Sequence, residues 1–158
     1  MPASEVVALF PGAQDDPEVS QQLSRRPNAF GASTLVIHPS KFESKDKYAG
    51  IQQISFSFLD GALWNFTIGY SGPEYSHVDK FVDVVVKNSN LPATDQWEPY
   101  VGMDNQLKML KCDDFEVQVF AGGPGGNLNH VAVKDLVTDK KLKDRRAKAA
   151  AAQATPSP

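Results

Sequence analysis

Ser76, His77 and Asp79 place a hydroxyl, an imidazole and a carboxylate close together in the chain, the side-chain types used in nucleophilic acyl transfer. Their spacing argues against that chemistry. Neighbours on one helical turn point in different directions, and no loop nearby is suited to hold an oxyanion. As local structure, Ser76 is predicted to cap a helix, with Asp79 as the acid of a capping box. His38, His77 and His130 are too dispersed for a helical or finger-type metal site and have no cysteine or acidic partner set close by, so no metal ligand set is assigned. The single cysteine, Cys112, cannot form an internal disulfide. It alternates with Leu110 in a strand-like segment, which predicts a half-buried structural thiol rather than a nucleophile. Residues 122–126 read Gly-Gly-Pro-Gly-Gly, a composition able to cradle a phosphate through backbone N–H groups. The Gly-Lys-Ser/Thr of a phosphate-binding loop does not follow, Pro124 has no donor, and a strand comes next, so a hairpin loop is predicted. No cofactor is implied.

Two other groups of residues suggest surfaces. Trp97, Tyr100 and Met103, with Glu98 and Asp104, fall in a long loop over residues 93–106. They are candidates for a lip that binds a protein or a small apolar ligand, the alternative being that they fold back over the sheet. Lys140, Lys141, Lys143, Arg145, Arg146 and Lys148, offset by Asp139 and Asp144, run into a string of alanines and predict an exposed basic helix. Such a helix suits an anionic surface, nucleic acid or a protein. No aromatic residue interleaves with its charges, so base stacking and membrane insertion are disfavoured and nucleic acid is not the expected partner.

These residues must be held by a small fold. With 158 residues, 16 basic and 19 acidic side chains and a formal charge of −3, the chain suits one domain and lacks the basic excess of a nucleic-acid binder. No apolar run approaches the roughly 20 residues of a membrane helix. Residues 1–4 lack the features of a signal peptide, which taken alone places the protein in the cytoplasm. A helix cap at Ser4, almost at the first residue, instead predicts a missing upstream segment, with a periplasmic or envelope location.

Along the chain, Ser4 is expected to cap a helix that stops at Pro11-Gly12, and Asp16 to cap a second one starting at Pro17. Residues 33–38 read as a strand and 39–47 as an exposed loop. Ile54, Phe56 and Phe58 alternate with serines, and Trp64, Phe66, Ile68 and Tyr70 follow Asp60-Gly61, so both arms show period two. A three-residue loop, with Gly61 left-handed, Phe56 facing Trp64 and Ile54 facing Phe66, would put both apolar sets on one face. Val78, Phe81, Val82 and Val85 recur at helical spacing, with Pro92 as the stop. Segments 107–112, 115–121 and 128–133 read as strands. The predicted fold is α+β: an antiparallel sheet with helices on one face, two helix-plus-three-strand halves in a single domain over residues 1–135, a basic alanine-rich helix over 136–152, and a disordered tail at 153–158.

The stretch from Gly50 to Gly61, with Gly69-Tyr70, His77-Val78-Asp79-Lys80-Phe81, Trp97-Glu98 and Leu110-Lys111-Cys112-Asp113, resembles a group of uncharacterised bacterial proteins of acidobacterial type. The similarity continues through Phe115-Glu116-Val117 and Lys143-Asp144-Arg145-Arg146 and so covers most of the chain. It implies no activity. It does imply an export signal ahead of the matching region and a Gly-Met pair opening the first helix, where this chain has only Met1. Residues 1–12 also resemble the opening of small envelope lipoproteins of the outer-membrane assembly type. The expectation is therefore a non-enzymatic binding or scaffold domain of the bacterial envelope. The alternatives are an enzyme whose site is assembled by the fold, and a nucleic-acid or anionic-surface binder acting through the basic helix.

Overall fold

The computed structural model describes residues 1–43 and 45–154. Seven strands form one sheet: β1 (Ala32–Ile37), β2 (Ile51–Leu59), β3 (Ala62–Tyr70), β4 (Glu98–Pro99), β5 (Leu107–Lys111), β6 (Phe115–Phe120) and β7 (His130–Asp135). Their order is β1-β2-β3-β7-β6-β5-β4, and every pairing is antiparallel. The last strands of the two halves, β3 and β7, meet in the middle, with Phe66 opposite Val133 and Ile68 opposite Val131, and the second half has four strands rather than the expected three because the short β4 precedes β5. The fold is α+β, as the order of sequence elements predicts.

Period-two patterning decides which face is covered. Ile54, Phe56 and Phe58 are buried, and Phe56 lies opposite both Leu35 and Phe66, so the apolar set runs straight across the sheet. In the first half this face is covered by α1 (Ala3–Val7), α2 (Pro17–Ser24) and the turn after α1, through Val6, Val7, Phe10 and Val19. In the second it is covered by α3 (Val78–Lys87), through Val78, Phe81 and Val82. Helices this short are marginal in isolation, so burial of these side chains, about 1.5–3 kcal/mol for each large one, holds them in place. The other face carries Ser55, Ser57, Asn65, Thr67 and Gln118, with Lys134 paired to Glu116 at 3.4 Å.

The β2–β3 hairpin departs from the predicted register. Leu59 pairs with Ala62, so the loop is the two-residue Asp60-Gly61 turn, and Phe56 faces Phe66 rather than Trp64. Both turn residues are left-handed, Asp60 at φ 52° and Gly61 at φ 80°, as a tight hairpin of this twist requires. The parity problem that favoured a longer loop is solved by a bulge. The register shifts between Ser57 and Phe58, leaving Trp64 as an extra residue and returning Phe66 and Ile68 to the apolar face.

Two predicted caps also differ. The first helix starts at Ala3 behind Pro2, with no side-chain cap, so Ser4 is inside it. The cap of α3 is His77 rather than Ser76, because the His77 Nδ1 accepts the Asp79 N–H at 3.2 Å, which needs the neutral tautomer protonated on Nε2. Asp79 thus sits one position too early for a capping box. Asp16 does cap α2, accepting from the N–H groups of Glu18 and Val19. In the segment expected as an exposed loop, Pro39 and Phe42 are buried around two 3₁₀ turns.

The basic helix, α4 (Leu136–Ala154), begins directly after β7, where Asp135 accepts the Thr138 N–H. It buries Leu142 and reaches the hairpin turn, where Arg145 grips Asp60 with both terminal nitrogens, at 2.9 and 2.6 Å, and also donates to the Phe30 carbonyl. Residues 153 and 154 belong to this helix, and the remainder of the predicted tail, 155–158, lies outside the described residues.

Candidate functional site

A cleft of about 570 Å³ opens at one end of the second half, between the start of α3, the loop before β5 and the glycine loop after β6. Its walls include Glu74, Tyr75, Asp104, Gln106, Gly122 and Gly123. The loop before β5 turns tightly, with the Met103 N–H donating to the Tyr100 carbonyl at 2.9 Å and Gly102 at φ 85°, the left-handed third position of a type II turn. It is tied down on both sides: Val78 N–H donates to the Asn105 carbonyl and Ala121 N–H to the Gln106 carbonyl, each at 2.8 Å.

Asn129 fixes the opposite wall. Only 1% exposed, it accepts the Gly122 N–H at 2.9 Å and donates from Nδ2 to the Pro73 carbonyl at 2.7 Å. It therefore joins the glycine loop to the segment leading into α3. At Gly126 (φ 77°) an added Cβ would lie 2.3 Å from the Pro73 oxygen, so backbone meets backbone there and only glycine fits. The glycine loop is a closed hairpin connection whose Gly122 and Gly126 N–H groups are donated internally, to Asn129 and to the Gly123 carbonyl.

Two segments flagged separately in the sequence, the aromatic loop and the glycine run, thus form one cleft, although the aromatic residues divide. Met103 is half-buried in its wall, and Tyr100, outside the wall, is 46% exposed on the same loop. Trp97 is 3% exposed within the second core cluster, its indole N–H donating to the Pro92 carbonyl at 3.0 Å. The position that does project is Val101, 92% exposed beside Tyr100. Among the described residues the cleft walls carry two carboxylates, Glu74 and Asp104, and no basic side chain.

The other flagged residues are dispersed. His38 contacts the Gln52 carbonyl, His77 caps α3, and His130 stacks on Phe120 with ring centroids 5.1 Å apart. Among the described residues no group of three or more His, Cys, Asp or Glu is placed to hold a metal ion. Cys112 is half-buried against the second core cluster.

On α4 most of the positive charge is matched. Lys141 and Arg145 bind Asp60, Lys143 lies 2.7 Å from Asp139, and Lys140 lies 3.8 Å from Asp144. The Arg145 guanidinium and then the Lys141 ammonium hold the Asp60 carboxyl well below the usual carboxylate range. Arg146 stands over the Phe30 ring, and Lys148 is exposed. No described helix is long and apolar enough to cross a membrane.

Asn129, Val101 and Tyr75 escaped the sequence reading. A polar residue at a strand entrance beside a glycine run, and a valine next to Gly102 in a loop, are the signals that mark the first two. Comparison with protein-family models, curated proteins and solved structures gives no match for this chain.

Proposed function

We propose that the protein is a non-catalytic binding domain, and that the cleft between the loop before β5 and the glycine loop receives a segment of a partner protein. The observation that carries this reading is a braced polar cleft whose wall loop also exposes apolar side chains: Asn129 and the α3 anchor set the walls, while the exposed Tyr100 and Val101 immediately precede the wall residues Gly102 and Met103. An apolar anchor bordered by polar groups is the anatomy of a protein-recognition surface. Because the walls bear Glu74 and Asp104 and, among the described residues, no cation, the fitting segment carries a lysine or arginine for the cleft and an apolar side chain for Tyr100 and Val101. The polar lining turns the expectation away from a small apolar ligand.

The test is calorimetric titration with a short peptide bearing one arginine next to one leucine, against the same peptide with glutamate in place of arginine. The arginine peptide should bind saturably, the glutamate peptide should not, and Asp104→Lys should abolish binding at unchanged melting temperature. Equal binding of both peptides, or none of either, refutes the reading. The envelope location is proposed with it on the resemblance alone, and is tested by fractionating the native organism.

A further inference from the structure

A second recess, about 390 Å³, lies in the other half of the molecule, where the end of α2, strand β1, the bulge in β3 and helix α4 converge. We propose that it is a binding site for a planar ring that carries an oxyanion, the shared chemistry of a nucleotide phosphate and an aromatic carboxylate. The inference is independent of the cleft described above and needs no catalytic step.

Charge is the first ground. Arg25, Arg26 and Arg146 all line the recess and, among the described residues, no acidic one does, in a chain whose net charge is −3. Among the described residues neither Arg25 nor Arg26 forms an ion pair or side-chain hydrogen bond. Nearby carboxylates are engaged elsewhere: Asp60 by Arg145 and Lys141, Asp144 by Lys140, and Glu18 by Lys41 at 2.7 Å. A guanidinium presents a planar fork of donors that suits a carboxylate or phosphate, so uncommitted arginines around one hollow favour an oxyanion.

The bulge supplies the second ground. As the extra residue in β3, Trp64 joins Thr34 and Ser57 at the recess, beside the buried Leu142 of α4. Tryptophan has the best face for stacking a flat ring, and its indole N–H has no partner among the described residues.

Rigidity is the third. Asn28 accepts the N–H groups of Phe30 and Ala32 at 2.9 and 3.0 Å, closing the turn just after Arg25 and Arg26, and the Arg25 N–H donates to the Gln22 carbonyl at the end of α2. The Asp60–Arg145 grip fixes α4, and with it Leu142 and Arg146. A hollow of this volume, partly apolar with convergent polar groups, has the form of a small-molecule site.

The experiment titrates the intact chain with adenosine monophosphate, benzoate, adenosine and inorganic phosphate, read by calorimetry and by tryptophan emission. Trp97 is buried in the other half, so a change in emission reports Trp64. Saturable binding with quenching is expected for at least one of the two ring-bearing anions. Preference for adenosine monophosphate identifies the phosphate source, and preference for benzoate the carboxylate source. Adenosine and phosphate alone should each bind at least about tenfold more weakly than the better anion. Arg25→Ala/Arg26→Ala should lower affinity at least about tenfold without moving the melting temperature, since neither side chain has a hydrogen-bond or ion-pair partner among the described residues. Trp64→Phe should retain binding and lose the emission change. Failure of both anions to bind, equal binding of adenosine, equal binding of phosphate, or indifference to the arginine pair overturns the proposal.

Discussion

Asn129→Ala is the perturbation whose size follows most directly from the structure. The side chain is 1% exposed and makes two bonds to groups far apart in sequence, the Gly122 N–H and the Pro73 carbonyl. Truncation to a methyl group leaves both unpaired in a nearly closed space. Each buried orphan costs about 1–3 kcal/mol, and water entering the vacated volume recovers part of that. A loss of about 2–4 kcal/mol follows, or roughly 5–15 °C in melting temperature for a chain of this size. Urea titration measures it as a lower midpoint at unchanged slope, since the surface exposed on unfolding is the same. Hydrogen exchange locates it: the Gly122 amide should lose protection, while amides in β2 should change only as far as global stability does. A loss below about 1 kcal/mol, or a protected Gly122 amide in the variant, would refute the claim that Asn129 braces the cleft.

Trp97→Ala should destabilise the protein by about 3–5 kcal/mol, as for a large buried aromatic, whereas Tyr100→Ala should stay within about 0.5 kcal/mol; chemical denaturation of the two variants separates a core residue from a surface residue. Asp60→Asn keeps the left-handed turn and removes the charge that holds Arg145 and Lys141. Because the folded-state Asp60 has a depressed pKa, its contribution is present above the unfolded value of about 3.9 and fades as pH falls through the lower folded value. The melting-temperature gap between wild type and variant should therefore be full at neutral pH and shrink in acid below about pH 4. Gln22→Ala removes the amide that bonds both the N–H and the carbonyl of Val36 on the edge strand β1, at 2.8 and 3.1 Å, so stability should fall by about 1–2 kcal/mol and self-association, read by light scattering, should rise.

Much of the framework was legible because it depends on local periodicity. Ile54, Phe56 and Phe58 announce a one-sided strand, Asp16-Pro17 announces a helix start, and the paired runs of strands announce an antiparallel sheet. The hairpin register was not legible, because the two-residue Asp60-Gly61 turn conflicts with the alternation unless a bulge intervenes, and nothing local marks Trp64 as the extra residue. Ser76 lost the cap to His77 for a similar reason: both can accept a helix N–H, and the choice depends on where Asn105 anchors the first turn. The sites depended most on long-range contact. Trp97 and Tyr100 lie three residues apart, and only the packing of β4 against β5 sends one inward and leaves the other at the surface. The basic helix was visible as composition, but its anchor, Asp60, lies 85 positions before Arg145.

The central claim, that the cleft between the loop before β5 and the glycine loop is the binding surface, is tested most directly by following backbone amide resonances of the isotope-labelled protein during titration with the arginine–leucine peptide. The account predicts saturable shifts clustered at Ser76, Val101, Asn105, Gln106, Gly122 and Gly123. Shifts confined to α4 or to the open sheet face, or no shifts at a saturating peptide concentration, would contradict it.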